Sequence, residues 1–165
     1  DKNIDWHFIG RLQTNKVKYV IDKVSLIHSL DRESLADEIN KLAERKEKFQ
    51  KVLIEINFGE ETKGGVKPKN LRALYEYTLN LKNLRVIGLM CIPPYRENPE
   101  DVRPYFREMV KLKRSLEDEY KVTLPELSMG MSSDFEVAIE EGATIVRIGT
   151  ALFKGLKSFK DGLFF

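Results

Sequence analysis

The chain has 165 residues, 42% of them hydrophobic, enough for one good core and too few for two. Its 28 Lys and Arg nearly balance 26 Asp and Glu, and they are scattered, so no basic block of the kind that tracks a phosphate backbone is present and no nucleic-acid partner is expected. A single cysteine, Cys91, rules out an intrachain disulfide, and two histidines at wide spacing make no zinc pattern.

Short apolar runs alternate with amphipathic stretches along the whole chain. Strands are expected at 6–10 ("WHFIG") and 25–30 ("SLIHSL"). Asp31 is the expected N-cap of a helix with Leu35, Ile39, Leu42 and Ala43 on one face and a solvated run, "ERKEK", on the other. A strand at 51–57 leads to a helix opening at Lys67-Pro68, with Leu71, Leu74, Tyr75 and Thr78 on its apolar side. The strand at 85–92 precedes a helix opening at Asn98-Pro99, where Val102, Tyr105, Phe106, Met109, Leu112 and Leu116 recur at helical spacing. A strand at 126–130 runs into a short helix capped by a Ser133/Glu136 box, with Phe135, Ala138 and Ile139 inward and Gly142 as its stop. The last strand is expected at 144–149.

Strands alternating with helices imply parallel pairing, because a parallel neighbour needs a crossover. The pattern alone fits either an open doubly wound sheet or a closed barrel. No Gly-x-Gly-x-x-Gly follows the first strand, which speaks against a dinucleotide site. A barrel needs eight units, so six would be a barrel lacking its first two.

Ligands of parallel α/β folds bind at the C-terminal strand ends, and small donor-bearing residues collect at the last two. Gly149-Thr150 can bring backbone N–H groups against an anion, with the Thr150 hydroxyl as a further donor. The turn at Ser132-Ser133 adds a helix N-terminus, so the two segments together describe a phosphate cradle. Arg147, two residues before Gly149, shares its face and points toward the barrel mouth. Against this, Ser133 alone is more often a helix cap and Gly149 alone a relief of crowding. His7 and His28, in apolar strands, fit packed core histidines. Cys91 has nothing nearby in sequence to activate it and fits a buried, inert thiol. Lys63 sits in a glycine-containing loop that fits a solvated segment, with a second anion contact as the alternative.

The motifs "WHFIGRLQTNK", "IHSLD", "TKGGV", "IGLMCIPP", "ENPEDVRPYF" and "LSMGMSSDFEVAIEEGATIVRIGTALF", in that order from about residue 4 to residue 153, resemble the pyridoxal phosphate homeostasis proteins. That family is similar to the N-terminal domain of alanine racemase. The resemblance implies an α/β fold, a (β/α)8 TIM-type barrel with about six of eight units in this chain, as a single domain over residues 1–165. It implies pyridoxal 5′-phosphate (PLP) as cofactor, a role in intracellular vitamin B6 homeostasis, no established turnover, no catalytic residue and no metal. Met131, Ser132, Gly149 and Thr150 would hold the phosphate, Arg147 would face the pyridine nitrogen, and Asn57, Met90 and His7 would line the pocket near the ring. Two departures stand out. The family's Schiff-base lysine lies in a strand upstream of "WHFIG", and Lys154 stands where the family usually has glycine.

With no initiator Met, the chain is expected to be a fragment of a longer one. Its start lacks the basic flank and apolar core of a secretory leader, and no apolar run reaches the length of a membrane span, so a cytoplasmic setting is expected. A monomer is expected, with PLP-requiring apo-enzymes as transient partners and no membrane. Two alternatives share the barrel: a PLP-dependent amino-acid racemase, which needs a second acid or base, and an enzyme acting on a phosphorylated metabolite. A scaffold role is third.

Overall fold

The computed structural model describes residues 4–59 and 64–153; Lys63 and the tail from Lys154 onward lie outside them. Six strands alternate with helices: β1 (His7–Phe8), α1 (Val17–Val20), β2 (Leu26–Leu30), α2 (Glu33–Arg45), β3 (Gln50–Ile56), α3 (Leu71–Thr78), β4 (Leu84–Cys91), α4 (Arg103–Tyr120), β5 (Glu126–Met131), α5 (Phe135–Glu140), β6 (Ile145–Arg147) and α6 (Thr150–Phe153). Every strand pairs in parallel with its sequence neighbour, in the order β1 to β6. A doubly wound sheet reverses its strand order partway, whereas sequential order is the order of a barrel wall. The sheet also curls. Asp5, His7 and Ile9 around β1 and Ile145 to Gly149 around β6 line one cleft of about 360 Å³.

The strands read as continuous apolar runs because both faces are covered. Ile27, Val52, Ile54, Leu89 and Cys91 pack outward with the helices in the large core. Leu26, Leu53 and Met90 alternate with them and form a small inner cluster with Ile87, Ile92 and Ile145. Helix faces follow the expected period. Leu35, Ile39 and Ala43 of α2, Leu71, Leu74, Tyr75 and Thr78 of α3, and Phe106, Met109 and Leu116 of α4 are all buried. Prolines open the 3-10 turns before α3 and α4, and Asn98 Oδ1 accepts the Glu100 N–H at 3.2 Å.

The ends of elements differ from expectation. β1 and β6 are shorter than the apolar runs at 6–10 and 144–149, because each pairs on one side only among the described residues. The N-cap residue of α2 is Arg32, not Asp31; the Asp31 carboxylate instead accepts from Arg32 Nη1 at 2.5 Å. Arg32 Nη2 donates to Leu12 O and Thr14 Oγ1, fastening the loop after β1 to the start of α2. The Ser133/Glu136 capping box does not form: Asp134 occupies the N-cap of α5, and its carboxylate accepts the Met131 N–H at 2.6 Å. With the helix phased that way, Val137 and Ala138 face inward and Ile139 is 53% exposed, the reverse of its expected inward position.

Candidate functional site

The site lies at the C-terminal rim, where β5 and β6 end. Gly130 shapes the approach, since its φ of +96° suits glycine and a Cβ there would stand 2.7 Å from Ala138 Cβ. The chain can therefore turn from β5 into α5 within a few residues and leave Met131 and Ser132 on the rim. Ser132 Oγ accepts the N–H groups of Gly149 and Ala151 at 3.3 and 3.2 Å, so the two segments singled out in the sequence meet. A Cβ on Gly149 would meet nothing within 4 Å, so the space above this backbone is open. Met131, Ser132, Ser133, Thr150 and Ala151 line a cleft of about 460 Å³, closed on one side by the exposed Tyr95. Met131 also lines the cleft between β1 and β6, so the two clefts adjoin.

Arg147 lines that second cleft and is only 7% exposed. Its Nη2 donates to Cys91 O at 2.7 Å and its Nη1 to Ser128 Oγ at 2.5 Å. Its Nε–H is buried without a partner, and no carboxylate touches the guanidinium among the described residues. Burial works against its charge, opposed by the negative charges of Asp134 and Glu55. Ser128 continues inward to His28 Nδ1 at 2.9 Å, and His28 Nε2 lies 3.1 Å from His7 Nδ1. Burial, with His7 and Arg147 close by, pulls the His28 pKa down to about 4, so this histidine is neutral. Cys91 is fully buried and its thiol is pushed up to about 12 by burial, as expected for an inert cysteine.

Of the residues marked in the sequence, Arg147, Met131, Ser132, Gly149, Thr150 and His7 thus line the two adjoining clefts. Met90 and Asn57 do not. Met90 is fully buried in the inner cluster, and Asn57 organises the loop after β3, its Oδ1 accepting from Gly59 N at 2.8 Å. The Met131 N–H is likewise already bonded to Asp134. Ser128, Ala151 and Tyr95 were not marked. A polar residue inside the apolar run "LSMGM" was the only signal for Ser128, and strand alternation puts it in line with Gly130 rather than with any motif.

A model of the alanine racemase N-terminal domain matches residues 4–157. The pyridoxal phosphate homeostasis protein of Aquifex aeolicus is 69% identical over 154 residues, 93% of this chain and 68% of that protein. The chain belongs to the pyridoxal phosphate homeostasis proteins of the alanine racemase N-terminal domain family. Its six units are therefore part of a TIM-type barrel of that family. The homeostasis protein of a Synechocystis species is 39% identical, over 92% of this chain and 70% of that protein. The fold is also that of PipY from Synechococcus elongatus, a structure with PLP bound. PipY is 32% identical, with a TM-score of 0.84 over 92% of this chain and 71% of PipY. The chain thus spans about two thirds of the length of these homeostasis proteins.

Proposed function

We propose that the chain is the cofactor-holding domain, spanning residues 1–165, of a cytoplasmic, monomeric PLP homeostasis protein that binds PLP without turning over a substrate and passes it to apo-enzymes. Arg147 carries this reading. Among the described residues it is a buried cation with one unpaired N–H and no contacting carboxylate, on the wall of a cleft that adjoins a set of backbone donors. A buried donor without a partner is costly, and a ring nitrogen with a free lone pair is the acceptor it lacks.

The donor set fits the other end of the cofactor. Two N–H groups converge on Ser132 Oγ at distances long for hydrogen bonds, and a phosphate oxygen would compete for both. Thr150 and the Ser132 hydroxyl add side-chain donors on the same cleft. When bound, PLP supplies an aldehyde for condensation with amines and an electron-withdrawing ring. Arg147 limits that chemistry: a guanidinium stays charged and keeps the facing nitrogen free of a proton, which weakens the ring as an electron sink. A holding protein is served by that restraint. The names of the relatives and the PLP-bound PipY structure support the same reading.

Titration of PLP into the purified protein, followed by fluorescence, is expected to show saturable binding that free phosphate competes away. Ser132→Ala should weaken it about tenfold, the value of one charge-assisted hydrogen bond. No uptake of PLP, or equal affinity for a phosphorylated sugar that lacks a pyridine ring, would overturn the assignment.

A further inference from the structure

A chain of hydrogen bonds runs through the barrel interior from the cleft edge to Arg147, and donor and acceptor chemistry gives it a direction. A guanidinium only donates, so the Arg147 Nη1–H donates a hydrogen bond to Ser128 Oγ. Ser128 Oγ is 2.9 Å from His28 Nδ1, His28 Nε2 is 3.1 Å from His7 Nδ1, and His7 Nε2 faces Asp5 Oδ2 at 3.6 Å. A neutral His28 carries one ring proton, which leaves two arrangements.

In the first, the Ser128 hydroxyl donates to His28 Nδ1, His28 Nε2–H donates to His7 Nδ1, and His7 keeps its proton on Nε2, toward the Asp5 carboxylate. Every donor from Ser128 to His7 then has an acceptor or an opposite charge. In the second, His28 Nδ1–H donates to Ser128, whose own hydroxyl is left without an acceptor among the described residues. His7 must then donate from Nδ1, and unless it takes a second proton it turns a lone pair on Asp5. An orphaned buried hydroxyl and a lone pair against a carboxylate both disfavour this arrangement.

We infer that Ser128, His28 and His7 form a directional strut in the first arrangement, and that Ser128 and His28 are positioning residues holding Arg147 with its Nε–H free for the cleft. Of the two arms that fix the guanidinium, the one to Cys91 O is backbone and survives any side-chain change. The arm to Ser128 is the one that side-chain chemistry controls. What the Nε–H meets rests on the PLP assignment; the strut does not.

Nitrogen-15 NMR of the histidine rings in the protein without added cofactor tests the direction: His28 should carry its proton on Nε2. Two substitutions then separate its ends. An asparagine amide reaches about as far as Nδ1, and a glutamine amide about as far as Nε2. His28→Asn should therefore keep the contact with Ser128 and the PLP affinity within about twofold, whereas His28→Gln and Ser128→Ala lose about tenfold. Ser128→Ala should also shift the Arg147 Nε–H resonance. A His28 proton on Nδ1 would overturn the inference, as would folded His28→Gln and Ser128→Ala proteins that match the parent in Arg147 resonance and PLP affinity. If the parent binds no PLP while His28 carries Nε2–H and Ser128→Ala moves the Arg147 signal, the cofactor assignment fails and the strut stands.

Discussion

Burial between β1, β3 and the inner cluster, with His7 and Arg147 as neighbours, holds the His28 pKa at about 4 against 6.5 for a free histidine. The sign of the linkage follows. Between these values the unfolded chain binds a proton that the folded chain refuses, so stability rises with pH through the window and falls as pH drops from about 6.5 to about 4. Thermal unfolding of the parent should lose more across that window than His28→Asn or His28→Gln, which carry no such group; parallel curves for all three would show that folding does not lower the His28 pKa. At this scale the sequence exposed the residues that stand at strand ends. Arg147, Ser132 and Gly149 were legible because alternation and a small-residue cluster gave them a place. His28 was legible as a packed histidine, but its bond to Ser128 spans 100 positions, and no local pattern carries a contact of that separation. Met90 also stands at a strand end, and there its side chain is fully buried and packs with Leu26 and Leu53 in the inner cluster, a contact that the strand pattern alone does not announce.

Elements were recovered by period, and their ends were not. Six apolar runs became six strands because both sheet faces are covered, and four amphipathic stretches became helices, three of them (α2, α3 and α4) with the expected buried faces and α5 with a rotated one. The segment "SMGMSSDFE" pointed to a Ser133/Glu136 box, but the N-cap is Asp134, and spacing alone does not fix where the helix begins. The positive φ of Gly130 decides, by setting where the turn begins and placing Asp134 against the Met131 N–H. The same segment thereby frees Ser132 to meet Gly149 and Ala151. Packing between elements makes a sharper demand at Gly88 of β4. A Cβ there would stand 1.9 Å from Glu126 O, so β4 and β5 approach only because the residue is glycine. Gly88→Ala should cost about 3 kcal/mol or more, as overpacking of a core contact does. Gly142→Ala, with positive φ and open space around it, should cost about 1 kcal/mol. Urea denaturation midpoints compare the two directly, and equal shifts would contradict the close β4–β5 approach.

Across the whole molecule, order in the sheet is graded from centre to edge. β3 and β4 share a seven-residue register and are flanked by strands on both sides, whereas β1 is two residues long, β6 is three, and each has one neighbour among the described residues. The exposed Trp6 and Ile9 lie beside β1, so little buried apolar surface holds that edge. Curling of the sheet, which no local pattern announces, brings these two edges to one cleft and so places Arg147 and His7 between the least protected strands. Hydrogen exchange should therefore be slowest for the amides of Val52 to Ile56 and Leu89 to Cys91 and fastest in β1 and β6. Ligand binding adds its free energy to the openings that destroy the site and to no others. PLP at saturation should thus slow exchange in β6 and at Gly149 and Ala151 and leave local opening elsewhere, as at the α2 C-terminus, unchanged. Protection that spread evenly over the molecule, or that appeared only around Lys67 to Leu74, would place the cofactor away from the β5–β6 rim.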